Sequence, residues 1–355
     1  VLAAVLPAMS WQIFRMGYYA AIVPTTFIAK ESFGALWWRG YLYLEDFFKT
    51  YNLEWILLIA TCALVGQKWA SAPGHLSNRE VAERRSYAWV NAALCVGGIL
   101  HIVSVWRVGG DFMHARLLLP GLFAVLSSVA VVSFPKAVVV RVVLTGGSLA
   151  WCLWATICAR PSYKADLSFD GIADEREWHV SRAGVRRPLT AQGYGKHFFV
   201  DISRDLLQQA QNAGVRAVFV PNLGVPPAAL SLDTVVIDSL GLNDYVGARL
   251  RLTNRGRPGH EKRVPAAWFF ARYPMPEGYV SPIQGSVVSS RVPRDEEIRA
   301  AHRVLDSPSF VELREAVMAP MSLDRFVRNL SIAWRLTFLR FASDPEVAAS
   351  EQGVG

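Results

Sequence analysis

The sequence is poor in charge, in cysteine and in the short signatures that mark common enzymes. Only 19% of its 355 residues are charged and 52% are apolar, which excludes a largely disordered chain, because disorder needs the opposite balance. Four cysteines are too few to staple a disulfide scaffold of this length. No P-loop, dinucleotide fingerprint, HExxH helix or CxxC pair is present. The formal net charge is +8, but the cations are dispersed rather than set in one stripe, which argues against nucleic acid as a partner.

What the sequence does have is long apolar runs, all of them before Ala159. Four are tested as membrane spans, which need ~17–25 mostly apolar residues: 53–66, 87–106, 117–134 and 137–158. Asn91 and His101 interrupt the second, and Arg141 lies close enough to the end of the fourth to snorkel. The segment 1–9 (VLAAVLPAM) reads as the tail of a fifth span, so further residues are expected upstream of Val1. Cys62, Cys95 and Cys152 fall inside spans and Cys158 at the end of one, where they read as small hydrophobes. The few polar groups in the spans disfavour a transporter.

Residues 1–160 therefore read as a transmembrane region and 161–355 as a soluble α/β domain. In the latter, 202–213 has helical spacing and stops at Gly214. The segments 215–220 and 234–237 read as strands, 268–272 (WFFAR) as a third, and 296–305 and 310–318 as helices. The tail 342–355 is expected to fray. Cation density places the loop 68–86 in the cytoplasm. Parity then puts the loop 10–52, the turn 107–116 and the tail from Arg160 together on the outer side.

Candidate chemistry gathers on that side. In Arg107-Val-Gly-Gly-Asp-Phe-Met-His-Ala-Arg116, two glycines allow a tight turn. Arg107, Asp111, His114 and Arg116 then offer guanidinium forks, an imidazole and a carboxylate for a phosphate head group. An interfacial hairpin closed by an Asp–Arg pair fits the same spacing. Arg15 and Lys30 sit among aromatics in the first outer loop, suited to a lipid phosphate or a sugar, or to an ordinary aromatic belt. Asp174 and Glu175 follow the last span, either facing the membrane site or forming a charged turn. Asp238, Asn243 and Asp244 close a strand at Gly241, as ligand contacts or as an Asx-type turn. The loop 255–262 is basic, touching an acidic polymer or head groups, or merely solvated.

Taken together, WQIFRMGYY followed by P-T-T-x-x-x-K, GGDFMHAR between two spans, GIADER and D-x-x-G-L-N-D resemble the bacterial GT-C membrane glycosyltransferases. Within these, the chain is similar to the mycobacterial-type terminal β-(1→2)-arabinofuranosyltransferases of arabinogalactan synthesis. The resemblance implies an integral membrane α-helical fold of the inner membrane, multi-pass, with a periplasmic C-terminal domain. It implies a polyprenyl-phosphate sugar donor, a glycan acceptor and the lipid bilayer as partners, and inverting transfer. No metal ligands and no cofactor are assigned, and a divalent cation is left open. In such families the catalytic acid lies on the first outer loop. No matching acidic motif stands at the start of this sequence, so the catalytic residue is unassigned and is expected upstream. Arg15, Lys30, Arg107, Asp111, His114 and Arg116 are then the donor phosphate and sugar candidates. Asp174, Glu175, Asp238, Asn243 and Asp244 are candidates for the acceptor or a domain interface. The alternative is a non-catalytic membrane protein with an outer sensing or assembly domain, because flagellar motor-control proteins share the Gly-Gly-Asp and Gly-Leu-Asn-Asp segments.

Overall fold

A computed structural model describes residues 2–31, 34–70, 78–127, 137–163, 171–183, 197–212, 214–220, 223–273 and 293–354. The chain forms two compact units, one made of Val1–Ser32 with Ala183–Gly355 and one of Phe33–Arg182. They are called here the terminal unit and the inserted unit. This division differs from a boundary near residue 160, because the first helix packs with the C-terminal segment.

In chain order the helices are α1 (Leu2–Tyr19), α2 (Thr25–Ala29), α3 (Trp37–Tyr51), α4 (Leu53–Ala70), α5 (Asn78–Arg107), α6 (Leu119–Ser127), α7 (Val138–Ile157) and α8 (Glu175–Ala183). There follow α9 (Phe198–Asn212), β1 (Ala217–Val220), α10 (Val225–Ala228), β2 (Val235–Asp238) and α11 (Ala267–Phe270). The chain ends with α12 (Asp295–Leu305), α13 (Pro308–Met318), α14 (Leu323–Phe338) and α15 (Pro345–Glu351).

The inserted unit holds the apolar helices. Arg85–Arg107 and Val138–Ile157 are long and apolar enough to cross a membrane. Only 11% of the first stretch and none of the second is buried inside the protein. A core helix of a soluble protein would be mostly covered, so these exposed apolar sides suit lipid. The expected span at 53–66 lies in α4, apolar over Leu53–Cys62. The expected span at 117–134 begins as α6, and its residues 128–134 lie outside the described residues. The loop expected at 68–86 is shorter, since α4 runs to Ala70 and α5 starts at Asn78; 71–77 also lie outside the described residues. A small core of Tyr43, Phe47, Leu53, Val105, Ala115, Leu118 and Ile172 ties the helix ends together.

The terminal unit is mostly helical around a two-stranded parallel sheet, with Ala217 opposite Val235 and Val220 opposite Asp238. The two expected strands are present, and Leu206, Ala210 and Phe219 pack beneath them. The third expected strand, 268–272, is instead the helical turn α11. Pro265 opens it by accepting the Trp268 N–H, and its rings enter two cores, Trp268 one and Phe269 the other. The tail does not fray: Asp344 caps α15 by accepting the Glu346 and Val347 N–H groups, and Ala348 and Ala349 are buried. The segment 10–19, expected as a loop, continues α1, which packs on α14. Asn329 Nδ2 donates to the Gly17 carbonyl at 2.9 Å, and the Ile22 N–H donates to Thr337 Oγ1 at 3.0 Å.

Candidate functional site

Beyond α5 the chain turns through Gly109 and Gly110 onto the face of α3. Gly110 has φ +73°, and a Cβ there would lie 2.3 Å from the Tyr43 ring, so only glycine lets the turn lie flat on α3. Gly40 brings α3 itself close to α5, since a Cβ would stand 1.9 Å from the Trp106 carbonyl oxygen. Arg39 then clamps the turn, donating to the Gly109 and Asp111 carbonyls at 2.8 Å each. The buried Tyr43 hydroxyl donates to the Met113 carbonyl at 2.8 Å and accepts the Leu117 N–H at 3.3 Å. Arg39, Tyr43 and Asp46 share one helix face through i, i+4 and i+7 spacing.

A second segment completes the site. Residues around Ala173 run parallel to the hairpin. The His114 N–H donates to the Ala173 carbonyl at 3.0 Å, and the Ala173 N–H to the Phe112 carbonyl at 2.6 Å. The two most distinctive motifs of the sequence, GGDFMHAR and GIADER, are therefore neighbours. Between them lies an open cleft of about 290 Å³, lined among others by Tyr51, His114, Arg160, Asp174, Glu175 and Arg176.

His114 is the best-held side chain of the cleft. Its Nδ1 lies 2.6 Å from Asp46 Oδ2, and the Tyr163 hydroxyl lies 3.2 Å from both atoms. A carboxylate accepting the Nδ1–H fixes the tautomer and leaves Nε2 for a ligand. His114 Nε2 is buried and, among the described residues, has no hydrogen-bond partner. Burial, and then the Asp46 carboxylate, push the Tyr163 phenol far up, so it remains a proton donor in the hydrogen bond to Asp46. The Tyr51 ring covers the imidazole at 5.5 Å. Ala115, buried beside it, has φ +59°, a left-handed backbone of the kind that persists where the surroundings over-determine it.

Of the four donor-phosphate candidates in this unit, His114 alone lines the cleft. Asp111 is fully buried and forms an ion pair with the half-exposed Arg116, so these two close the hairpin. Arg107 ends α5, and its carbonyl accepts the Leu36 N–H at 2.7 Å. Asp174 and Glu175 both line the cleft. Asp174 Oδ1 accepts the Glu177 N–H at 3.2 Å, and Glu175 lies 3.1 Å from His179. No three His, Cys, Asp or Glu side chains converge to hold a metal ion among the described residues.

The other candidates lie in the terminal unit. Arg15 donates to Gln12 Oε1 at 3.3 Å and lies over the Trp11 ring. Lys30 caps α2, and its carbonyl accepts from Arg255 at 3.1 Å. Asp238 is fully buried, and its two oxygens accept the Leu242 and Asn243 N–H groups at 3.0 Å each. Asn243 returns the contact, accepting the Asp238 N–H at 3.2 Å and donating to the Val236 carbonyl at 2.7 Å. Asp244 accepts both nitrogens of the Arg272 fork, at 2.8 and 2.9 Å. Asp238 and Asn243 thus brace the turn that closes β2, and Asp244 ties it to Arg272.

Asp46, Tyr163, Arg160 and Arg39 were not singled out in the sequence as site residues. The i, i+4, i+7 spacing of Arg39, Tyr43 and Asp46 on an otherwise aromatic segment was the one signal for two of them. Tyr163 and Arg160 carry no local pattern, because the fold alone returns them to α3 and the hairpin.

Two characterised proteins are similar to the chain over nearly its whole length. One is a terminal β-(1→2)-arabinofuranosyltransferase of Corynebacterium glutamicum, 29% identical over 94% of this chain and 53% of the relative. The other, of the same description, is from Mycobacterium tuberculosis, 28% identical over 97% of this chain and 63% of the relative. The chain thus spans between about half and two thirds of the length of these relatives. No solved structure matches it. A family model, described as the AftB family C-terminal domain, matches residues 181–351. Residues 181 to 351 of the chain are thus similar to the C-terminal domain of the AftB family.

Proposed function

We propose that the chain works in a multi-pass membrane glycosyltransferase of the GT-C type, with the terminal unit on the outer side of the inner membrane. In this reading it moves an arabinofuranosyl residue from a polyprenyl-phosphate donor to a cell-wall glycan, with inversion. The observation that carries the reading is the cleft formed where the 107–116 hairpin meets Ala173, just beyond the ends of the apolar helices α5 and α7. A lipid-linked phosphate arrives at that level of a membrane. The similarity to two arabinofuranosyltransferases supports the sugar.

In this role His114 is the imidazolium: Nδ1–H donates to Asp46, whose carboxylate stabilises the charge, and Nε2–H donates to a phosphoryl oxygen of the donor. Arg160, another wall of the cleft, supplies a guanidinium. As the bond to the anomeric carbon breaks, the sugar becomes oxocarbenium-like and the departing polyprenyl phosphate gains negative charge, which these donors offset. The acceptor hydroxyl attacks the opposite face and gives its proton to a carboxylate. Asp174 and Glu175 contact the acceptor.

Arg116→Ala is an ambiguous test, because it strips the partner from the buried Asp111 and weakens the hairpin itself. His114→Gln and Arg160→Gln spare that pair. In the full-length protein, assayed with a panel of polyprenyl-phosphate sugars, His114→Gln is expected to lower turnover about 100-fold or more with unchanged thermal stability. Unaltered turnover in both variants rejects the assignment.

A further inference from the structure

The terminal unit has a cavity of its own. It measures about 450 Å³ and is lined by two strands of one loop, 250–257 and 260–264, with Ser343. Five lining side chains are permanent cations or ammonium groups: Arg251, Arg255, Arg257, Lys262 and Arg263; His260 is the sixth basic group, and Glu261 is the one carboxylate. Among the described residues, three acids reach these cations: Glu261 lies near Arg255, and Glu351 and Glu31 come from neighbouring elements. Glu351 pairs with Arg251, and Glu31 lies 3.6 Å from Lys262 Nζ. Arg255 also donates to the Lys30 carbonyl at 3.1 Å, and Arg257 Nη2 lies 3.3 Å from His260 Nε2. The cavity is strongly cationic.

Its shape is fixed by backbone. The Gly256 N–H donates to the Glu261 carbonyl at 3.0 Å and the His260 N–H to the Arg257 carbonyl at 2.8 Å. A Cβ on Gly256 would lie 2.1 Å from the His260 carbonyl oxygen, so the two sides of the loop touch and present Arg255 and Arg257 from a pre-formed turn. Below them Lys262 is buried, donating to the Ala248 carbonyl at 2.8 Å. Burial lowers its pKa to about 8, against the opposing pull of Glu31. Arg340 adds positive charge nearby.

We propose that this cavity binds a phosphate-bearing ligand, its phosphoryl oxygens held by the Arg255 and Arg257 forks and the buried Lys262. Arginine forks match phosphate oxygens two at a time, and the volume leaves room for a group attached to the phosphate. The same chemistry serves a soluble sugar phosphate or a lipid head group. The inference does not depend on the transfer reaction, and its test reads binding alone.

The full-length protein in neutral phosphatidylcholine nanodiscs is titrated calorimetrically with inorganic pyrophosphate. Saturable binding is expected, weakened about tenfold or more by the double change Arg255→Ala and Arg257→Ala. Arg263→Glu, at an exposed position of the rim, weakens it independently should the double variant misfold. Arg216→Ala, on the exposed pair with Asp233, leaves it unchanged. Binding that survives His114→Gln separates this cavity from the cleft of the inserted unit. Nanodiscs containing phosphatidylglycerol identify the source: lower pyrophosphate affinity there indicates a lipid head group, and unchanged affinity a soluble ligand. No binding, binding indifferent to all the Arg changes, or binding lost only with His114→Gln overturns the proposal.

Discussion

At the scale of single residues, the hairpin shows how one atom decides the site. The spacing of Arg107, Asp111, His114 and Arg116 was legible in the sequence, and so were the glycines that let the chain turn. What spacing cannot give is which side chain faces the cleft. A buried carboxylate must take its cation from whatever lies within reach, so Asp111 holds Arg116 and His114 is left to meet a ligand. The Asp46 contact to His114 spans 68 residues, beyond any local pattern. The fit at Gly110 gives a sharp expectation. Gly110→Ala demands a strained φ and pushes a methyl group into the Tyr43 ring, at a cost of about 2 kcal/mol or more. The melting temperature in detergent is expected to fall by several degrees and, under the proposed function, transfer activity with it. Gly97→Ala is the control: it meets nothing within 4 Å, lies inside α5, and should be neutral or slightly stabilising. Equal melting of the two variants would refute the packing described.

At the scale of elements, the sequence was readable wherever periodicity and punctuation agreed. The helix stopping at Gly214, both strands of the small sheet and the helices α12 and α13 fall where hydrophobic spacing placed them. The errors share a cause. WFFAR has strand-forming residues, but Pro265 starts a turn and each ring answers to a different core, which is a tertiary demand that propensity does not carry. The tail is rich in alanine and acids and looks frayed, yet Ala348 and Ala349 are small enough to lie in the core with Ala300, Ala301 and Val304 of α12. Ending the chain after Asp344 should therefore uncover α12 and lower the stability of the terminal unit, even though α15 has only 7 residues. Differential scanning fluorimetry of the truncated and intact chains checks this. Coincident transitions would mean that α15 contributes nothing.

At the scale of the whole molecule, composition divides the protein more clearly than sequence order does. Apolar exposure concentrates on α5 and α7, whose outer faces carry exposed Val, Leu, Ile and Trp side chains. Water would not tolerate so much apolar surface on two long helices, and α7 contributes no buried residue to compensate. The four cysteines are free, and two of them report on α7. Cys152 lies in its last two turns and Cys158 one residue beyond its end, both exposed in the bare protein. Exposure alone predicts equal reactivity. A lipid environment over α7 predicts that Cys152 is shielded, and the proposed orientation puts Cys158 at the outer surface. In variants keeping one cysteine each, a membrane-impermeant maleimide applied to intact cells should label Cys158 and spare Cys152. Detergent denaturation should release both. Labelling of Cys158 only after lysis would invert the topology and place the cleft, with His114, on the cytoplasmic side. Labelling of Cys152 in intact cells would remove α7 from the bilayer, and the route by which a lipid-linked donor reaches His114 would go with it.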